Sequence, residues 1–437
     1  MNRRAFLQTS LAGGIVAACG GDSGAAEVAA TGMELAPGIR RSGRVRLVDH
    51  GLVDDRGAFL GLGVSHFTAL WRFRHDRARL ERDLAFLAQQ GFRYYRMLSM
   101  VGWFEAWRGL EIAPVDFVNR AGQGVTAWPD YWAALAGLVD LSYDRFGLRT
   151  QITVFADAQL IPRREDRVAH LQRLLTEVVA GRESKVILLE VANEAWQNGF
   201  PGASGVAELR ELTRLAAERT AVLVATTSNH EGDFAALYRD SAADIATWHF
   251  SRDRRADDGW RPILDCRRLA VVPGCPPVSS NEPIGPGASV ASESDPVRLV
   301  LAAAYAFASR LPMFVFHSAA GVFGRTSFEA TPAIRDFGPL LRLLPGDLPN
   351  WSAEEGRAPR AELFAEGCLS LACCRQAGRF VGIPVGVQPD GLRLTTRVSM
   401  RLRALDLLTG RELAVVNLEP GRAATLNVAS AAVLLTT

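Results

Sequence analysis

Lysine is almost missing from this sequence: Lys185 is the only one among 49 basic residues, and the rest are arginine. Acidic residues number 47, so the two signs nearly cancel. That balance offers no basic stripe to a phosphate backbone and excludes nucleic acid as a main partner. The chain is not a disordered polyelectrolyte either, with 48% hydrophobic and only 22% charged residues. Past the N-terminal segment, no apolar run reaches the ~20 residues that a membrane-spanning helix needs. Histidine and cysteine are scarce, at 7 and 6, and no spacing among them resembles a zinc site. Neither a metal nor an organic cofactor is therefore expected. Gly61-Leu62-Gly63 lacks the third glycine of a nucleotide-binding turn. No Gly-Xaa-Ser-Xaa-Gly occurs, which disfavours an esterase of the nucleophile-elbow kind.

What is present begins with an address. Residues 1–19 combine Arg3-Arg4, a short apolar core and small residues before Cys19, the layout of an export signal. Arg3-Arg4 with Phe6-Leu7 resembles a twin-arginine signal. Val16-Ala17-Ala18-Cys19 resembles a lipobox, in which the cysteine becomes the lipidated first residue. Residues 20–41, rich in Gly, Ala and Ser, read as a flexible tether. The expectation is an exported, lipid-anchored protein of the cell envelope, touching the membrane only through that anchor and acting as a single copy. The five cysteines after Cys19 are odd in number and cannot all pair internally. Cys266 with Cys275, and Cys368 with Cys373 or Cys374, are conceivable pairs; buried free thiols are the simpler reading.

From residue 42 to 350, short apolar runs alternate with amphipathic ones. Strands are predicted at 60–64, 92–98, 148–155, 186–191, 221–226, 245–250, 277–280 and 313–317. Helices are predicted at 77–90, 129–146, 165–179, 206–220, 234–239, 296–310 and 332–344, with an irregular stretch after the sixth strand. Continuous apolar strands between helices mean a parallel sheet covered on both faces. Eight such units point to a (β/α)8 TIM barrel within the α/β class, ahead of a doubly wound sheet. A hairpin at 44–60 precedes it. From 351 to 437 short alternating segments, broken by Gly, Pro and Asp, predict a small C-terminal antiparallel β-sandwich. The arginines alternating over 397–403 read as its solvated face.

In a barrel the reactive groups collect where strands end and βα loops begin. The fourth strand runs into Asn193-Glu194 and the seventh into Glu282. Two carboxylates facing each other across the mouth suit glycosidic chemistry: one protonates the departing oxygen, the other attacks or stabilises the cationic ring carbon.

On these motifs residues 52–345 resemble the retaining glycoside hydrolases of clan A, the cellulase-like, family 5-like TIM barrels. The stretch 52–63 resembles their opening hairpin, and Gly91-Phe92-Arg93-Tyr94-Tyr95-Arg96 their second strand. The resemblance implies that Glu194 is the acid/base, Glu282 the nucleophile, Asn193 a binder of the sugar 2-hydroxyl and Arg96 the support of the nucleophile. It implies a double displacement on an oligo- or polysaccharide. Two positions depart from the pattern: Thr247-Trp248-His249-Phe250 stands where His-Xaa-Tyr is usual, so that either His249 takes that place or the role is missing, and Phe316-His317-Ser318 replaces the usual tryptophan of the eighth strand.

Trp71, Trp103, Trp107, Trp196, Trp248 and Trp260 fall at or just after predicted strand ends. An exposed indole suits the C–H face of a pyranose, and Trp196, beside Glu194, is the expected platform, with Trp248 as another contact. His66 and His317, ending strands one and eight, and Asp157, ending strand three, are further candidates for the carbohydrate substrate. Asn229-His230-Glu231 offers a third glutamate, read as a helix-start acid. The alternative to a hydrolase is a non-catalytic, surface glycan-binding lipoprotein; a binding module has no use for a proton donor opposite a nucleophile. A metal-dependent barrel hydrolase ranks below both, because the first strand has no His-Xaa-His.

Overall fold

The computed structural model describes residues 41–437 apart from 230–231, 251–259, 283–295, 325, 332–333, 429–430 and 437. Cys19 and almost all of the predicted tether lie outside the described residues. Arg41, read from sequence as the tether's last residue, belongs to the fold: it is buried, and its Nε and Nη2 donate to Asp54 at 2.8 and 2.7 Å.

Eight parallel strands form the centre: β1 Gly61–Ser65, β2 Tyr94–Leu98, β3 Arg149–Phe155, β4 Val186–Asn193, β5 Leu223–Ser228, β6 Ala246–Trp248, β7 Val278–Ser280 and β8 Met313–Phe316. Every residue in all eight is buried, as expected of a sheet covered on both faces. Their order is β5-β4-β3-β2-β1-β8-β7-β6. The ring closes between β5 and β6 by a parallel bridge of Asn229 with Trp248, where His249 N donates to Asn229 O at 2.8 Å. The predicted barrel is present.

The outer helices are α1 Arg77–Gln89, α2 Tyr131–Phe146, α3 Arg164–Leu174, α4 Gly202–Arg219, α5 Phe234–Tyr238, α6 Arg261–Leu269, α7 Pro296–Ala308 and α8 Phe337–Leu343. Their ends follow local chemistry. The Asp76 carboxylate caps α1 by accepting from Arg79 N, and α2 stops at Gly147, held at φ 70°. Helix α6 corrects the sequence reading, which left that stretch irregular. Its nine residues include three arginines, an aspartate and a proline, too little apolar sequence to read as a helix packed on a sheet. A short helix, Ala69–His75, also follows β1 unforeseen.

The barrel has one closed end and one open end. Strands Arg46–Val48, Gly51–Asp54 and Gly57–Phe59 form an antiparallel meander. Its Leu52 and Phe59 pack with Tyr94, Leu223, Ile245 and Met313, which lie at the starts of the barrel strands. This apolar plug seals the N-terminal face and leaves the opposite face to the βα loops.

The last part of the chain is antiparallel, as predicted. A six-stranded sheet contains Ser352–Glu355, Ser370–Gln376, Arg379–Val385, Met400–Asp406, Glu412–Leu418 and Ala432–Thr436; a three-stranded sheet contains Leu363–Glu366, Leu392–Thr396 and Ala424–Leu426. Leu371, Leu402 and Leu434 of the first share one core with Leu363, Leu394 and Leu426 of the second, which makes a sandwich. Arg401 and Arg403 are on its exposed side. Helix α7 meets the sandwich: Tyr305 Oη lies 2.8 Å from Ser370 Oγ, and Cys374 Sγ donates to Ala308 O at 2.9 Å. Neither conceivable disulfide is formed among the described residues. Among the described residues, no helix is long and apolar enough to cross a membrane.

Candidate active site

Strand β2 carries Arg96 into the barrel, fully buried. Strand alternation places Tyr95 on the outer side, where its hydroxyl lies 2.9 Å from Ser142 Oγ of α2. A buried guanidinium must spend its donors, and Arg96 spends them on three side chains. Nε donates to Glu190 Oε2 of β4 at 2.8 Å, Nη1 to Glu282 Oε1 after β7 at 2.9 Å, and Nη2 to Asn193 Oδ1 at 2.7 Å. The guanidinium can only donate, so the Asn193 carbonyl oxygen faces it and the amide nitrogen points elsewhere.

Glu194 follows β4 at a backbone turn. Its φ is 39°, a left-handed value that costs a non-glycine residue roughly 1 kcal/mol or more. The turn is held by Glu194 N donating to Ser228 O at 2.8 Å, and by Asn198 Nδ2 donating to Asn193 O at 2.8 Å. Gln197 Nε2 donates to Glu194 Oε2. The strained conformation directs this carboxylate to the open face, where its side chain is 22% exposed against 9% for Glu282.

One imidazole joins the two carboxylates. His249 Nδ1 lies 3.4 Å from Glu194 Oε1, and its Nε2 lies 3.4 Å from Glu282 Oε1. His317, after β8, approaches the other oxygen of Glu282, with Nε2 at 3.7 Å from Oε2, while its Nδ1 lies 2.8 Å from Ser65 Oγ. Six residues predicted from sequence thus converge: Arg96, Asn193, Glu194, His249, Glu282 and His317.

The other candidates lie elsewhere. His66 is a correction: it is fully buried on the helix side of β1, its ring packed edge-on to Tyr95 and Phe328 and 3.8 Å from Asp83 of α1. Burial, aided by Arg72 and Arg79, holds its pKa well below the ordinary histidine value, so it stays a neutral wall residue. Trp248 is 7% exposed and stacks edge-on against Phe234, a packing role in place of a sugar platform. Trp107 and Trp260 are likewise buried; Trp196, two residues after Glu194, is 37% exposed. Asp157 is buried and accepts at Oδ2 from Gly102 N at 2.8 Å and Trp103 N at 3.1 Å, tying down the loop after β2. His230 and Glu231 lie outside the described residues.

Sequence reading missed Glu190. It has no solvent exposure, and its carboxylate accepts from Arg96, from Thr153 Oγ1 at 2.6 Å, from Asn281 Nδ2 at 2.6 Å and from Ser228 Oγ. Burial pushes its pKa up, but Arg96 and the hydroxyl donors outweigh burial and hold it below the usual carboxylate range. The signal was a lone acid inside the apolar run 186–192, because a charge in a buried strand must have a partner. Among the described residues no group of three or more His, Cys, Asp or Glu side chains is arranged to hold a metal ion.

Neither a protein-family model nor a curated relative matches the sequence. Solved structures do. The chain is similar to a protein described as a glycoside hydrolase, at 11% identity and a TM-score of 0.62, covering 90% of this chain and 97% of that one. It is similar to a glycoside hydrolase family 5 protein from Bacteroides vulgatus ATCC 8482, at 12% identity and a TM-score of 0.60, covering 90% and 93%. A putative glycoside hydrolase from the same organism aligns at 12% identity and a TM-score of 0.63, covering 92% and 83%. At such identities the likeness is one of fold alone, the (β/α)8 barrel and the β-sandwich after it being covered over 90–92% of this chain.

Proposed function

We propose that this protein is a retaining glycoside hydrolase acting on an oligo- or polysaccharide, with Glu282 as nucleophile and Glu194 as acid/base. One observation carries the reading: two glutamates from the ends of β4 and β7 share one imidazole, and one of them is bonded to a buried arginine. A guanidinium 2.9 Å away favours the anion at Glu282, the form a nucleophile needs. Glu194 is more open to solvent and two residues before an exposed indole, a place where a leaving group can receive a proton.

In the first step Glu282 attacks the anomeric carbon while Glu194 protonates the departing glycosidic oxygen. In the second, Glu194 takes a proton from water, which displaces Glu282 from the glycosyl-enzyme and restores the starting configuration. The amide nitrogen of Asn193, turned away from Arg96, donates to a sugar hydroxyl next to the reacting carbon. His249 keeps the two carboxylates in register through both steps.

Aryl glycosides and plant and bacterial polysaccharides test this directly. Glu282→Ala should abolish turnover on every substrate. Glu194→Ala should keep the first step on a substrate with a good leaving group, and azide should rescue it to a glycosyl azide of retained configuration. An inverted glycosyl azide from Glu194→Ala together with a retained one from Glu282→Ala would reverse the roles. No hydrolysis by the unmutated protein would leave the glycan-binding alternative.

A further inference from the structure

Glu190 is a buried charge that the two-carboxylate chemistry does not call for. Everything that bonds to it is a donor: Arg96 Nε and Thr153 Oγ1 on Oε2, Asn281 Nδ2 and Ser228 Oγ on Oε1. Asn281 is turned that way because its Oδ1 accepts from Gln151 Nε2 at 2.8 Å. A carboxyl ringed by donors has no place for a proton of its own, so the cage is built for the anion. One guanidinium therefore faces two anions, through Nε to Glu190 and through Nη1 to Glu282.

Resting on the hydrolase reading above, we propose that Glu190 is a positioning residue: it locks the Arg96 plane so that Nη1 and Nη2 meet Glu282 and Asn193 together, and by sharing the Arg96 charge it keeps the Glu282 carboxylate nucleophilic. A carboxylate that had the whole guanidinium to itself would be a more stable and less reactive anion. Glu282 is faced by Arg96 from β2, His249 from the end of β6 and His317 from the end of β8, with Glu194 across His249. Glu190 has Arg96 against it, with the His249 ring and the phenols of Tyr94 and Tyr238 in its field. Of these groups, Arg96 alone is bonded to both Glu190 and Glu282.

The test is the pH profile of Glu190→Gln, which keeps the shape and removes the charge. The acid limb of kcat/KM should move down by roughly one pH unit. The plateau kcat should fall on the order of 10-fold with little change in KM. An acid limb that stays in place, whatever the loss of active protein, would mean that Glu190 only packs, and would overturn the proposal. Should that variant fail to fold, Thr153→Val keeps both carboxylates and removes one donor from Glu190. Glu190 then grips Arg96 harder and the limb should move up; an unchanged profile and kcat would overturn the proposal equally. Carbon-13 titration of the Glu282 carboxyl, assigned by the signal missing in Glu282→Gln, reads the same coupling without substrate. A downward shift in Glu190→Gln alongside an inactive wild type would keep the charge sharing and discard the hydrolase. An active wild type with an unmoved Glu282 titration would discard this inference alone.

Discussion

Replacing Asp157 with asparagine should stabilise the protein at neutral pH, the reverse of what most changes at a buried polar position do. Asp157 is buried behind the loop that follows β2, and one of its oxygens accepts from the backbone of Gly102 and Trp103. Burial pushes its pKa up to about 6, although the two N–H donors pull the other way. In the unfolded chain the same carboxyl titrates near ~3.9. Between these values the native state holds a proton that the unfolded state has shed, so stability falls as pH rises through the window from about 4 to about 6. Above that window the charged form costs about 3 kcal/mol relative to the protonated one. Asparagine keeps a carbonyl oxygen for Gly102 N and Trp103 N and carries no charge. Its amide must find partners of its own at a cost of about 1 kcal/mol, which leaves a net gain of about 1–2 kcal/mol at pH 7.5. Alanine should be far worse than asparagine, because both backbone donors lose their acceptor at about 1–3 kcal/mol each. Urea unfolding of wild type, Asp157→Asn and Asp157→Ala at pH 5 and pH 7.5 measures all of this. Asp83, also pushed up to about 6 by burial against the pull of Arg72, leaves a residual slope in every variant. An asparagine variant that is less stable than wild type at pH 7.5, or that keeps the full wild-type pH slope, would refute the reasoning.

Gly63→Ala should destabilise the barrel by about 1–3 kcal/mol or more, because the new Cβ would sit 2.2 Å from Tyr94 Cζ; the urea midpoint reads this, and an unchanged midpoint would mean that the Tyr94 ring moves freely. In a crystal structure, the carboxyl carbons of Glu194 and Glu282 should lie ~5–5.5 Å apart, since ~6.5–9.5 Å would mean inversion. Cys19→Ala should move the protein from the membrane fraction to the soluble one, because the acyl chains on that cysteine are the proposed anchor; a variant that still pellets with membranes would refute the lipobox reading.

The order of elements was legible because each barrel strand is buried on both faces and so reads as a short, largely apolar run between amphipathic stretches. Val186–Asn193 is the plainest case, and every one of its residues is buried. Helix α6 was not legible, because three arginines, an aspartate and a proline among its nine residues leave it too polar to read as a helix packed on a sheet. The pair at the site could be found from position alone: Asn193-Glu194 and Glu282 end strands, and in a barrel strand ends share one face. His317 was found the same way, and His249 through the sixth-strand pattern of the resemblance. His66 shows where that argument fails. It too ends a strand, but adjacent residues on a strand point to opposite faces, so Ser65 reaches His317 while His66 turns to Asp83. Trp248 fails for another reason, since only the neighbour Phe234, folded back from α5, decides whether an indole is a platform or a filler.

By itself, the sequence determined the parallel barrel, the sandwich after it and the two strand ends where carboxylates meet, because periodicity and burial are local properties of the chain. Tertiary structure alone decided who bonds to whom: that Arg96 divides its guanidinium among Glu190, Glu282 and Asn193, and that one imidazole spans both site glutamates. Arg96 and its three partners are separated by 94 to 186 positions along the chain. No local pattern encodes a contact over such distances, and only closing the strands into a ring places their ends within hydrogen-bond reach.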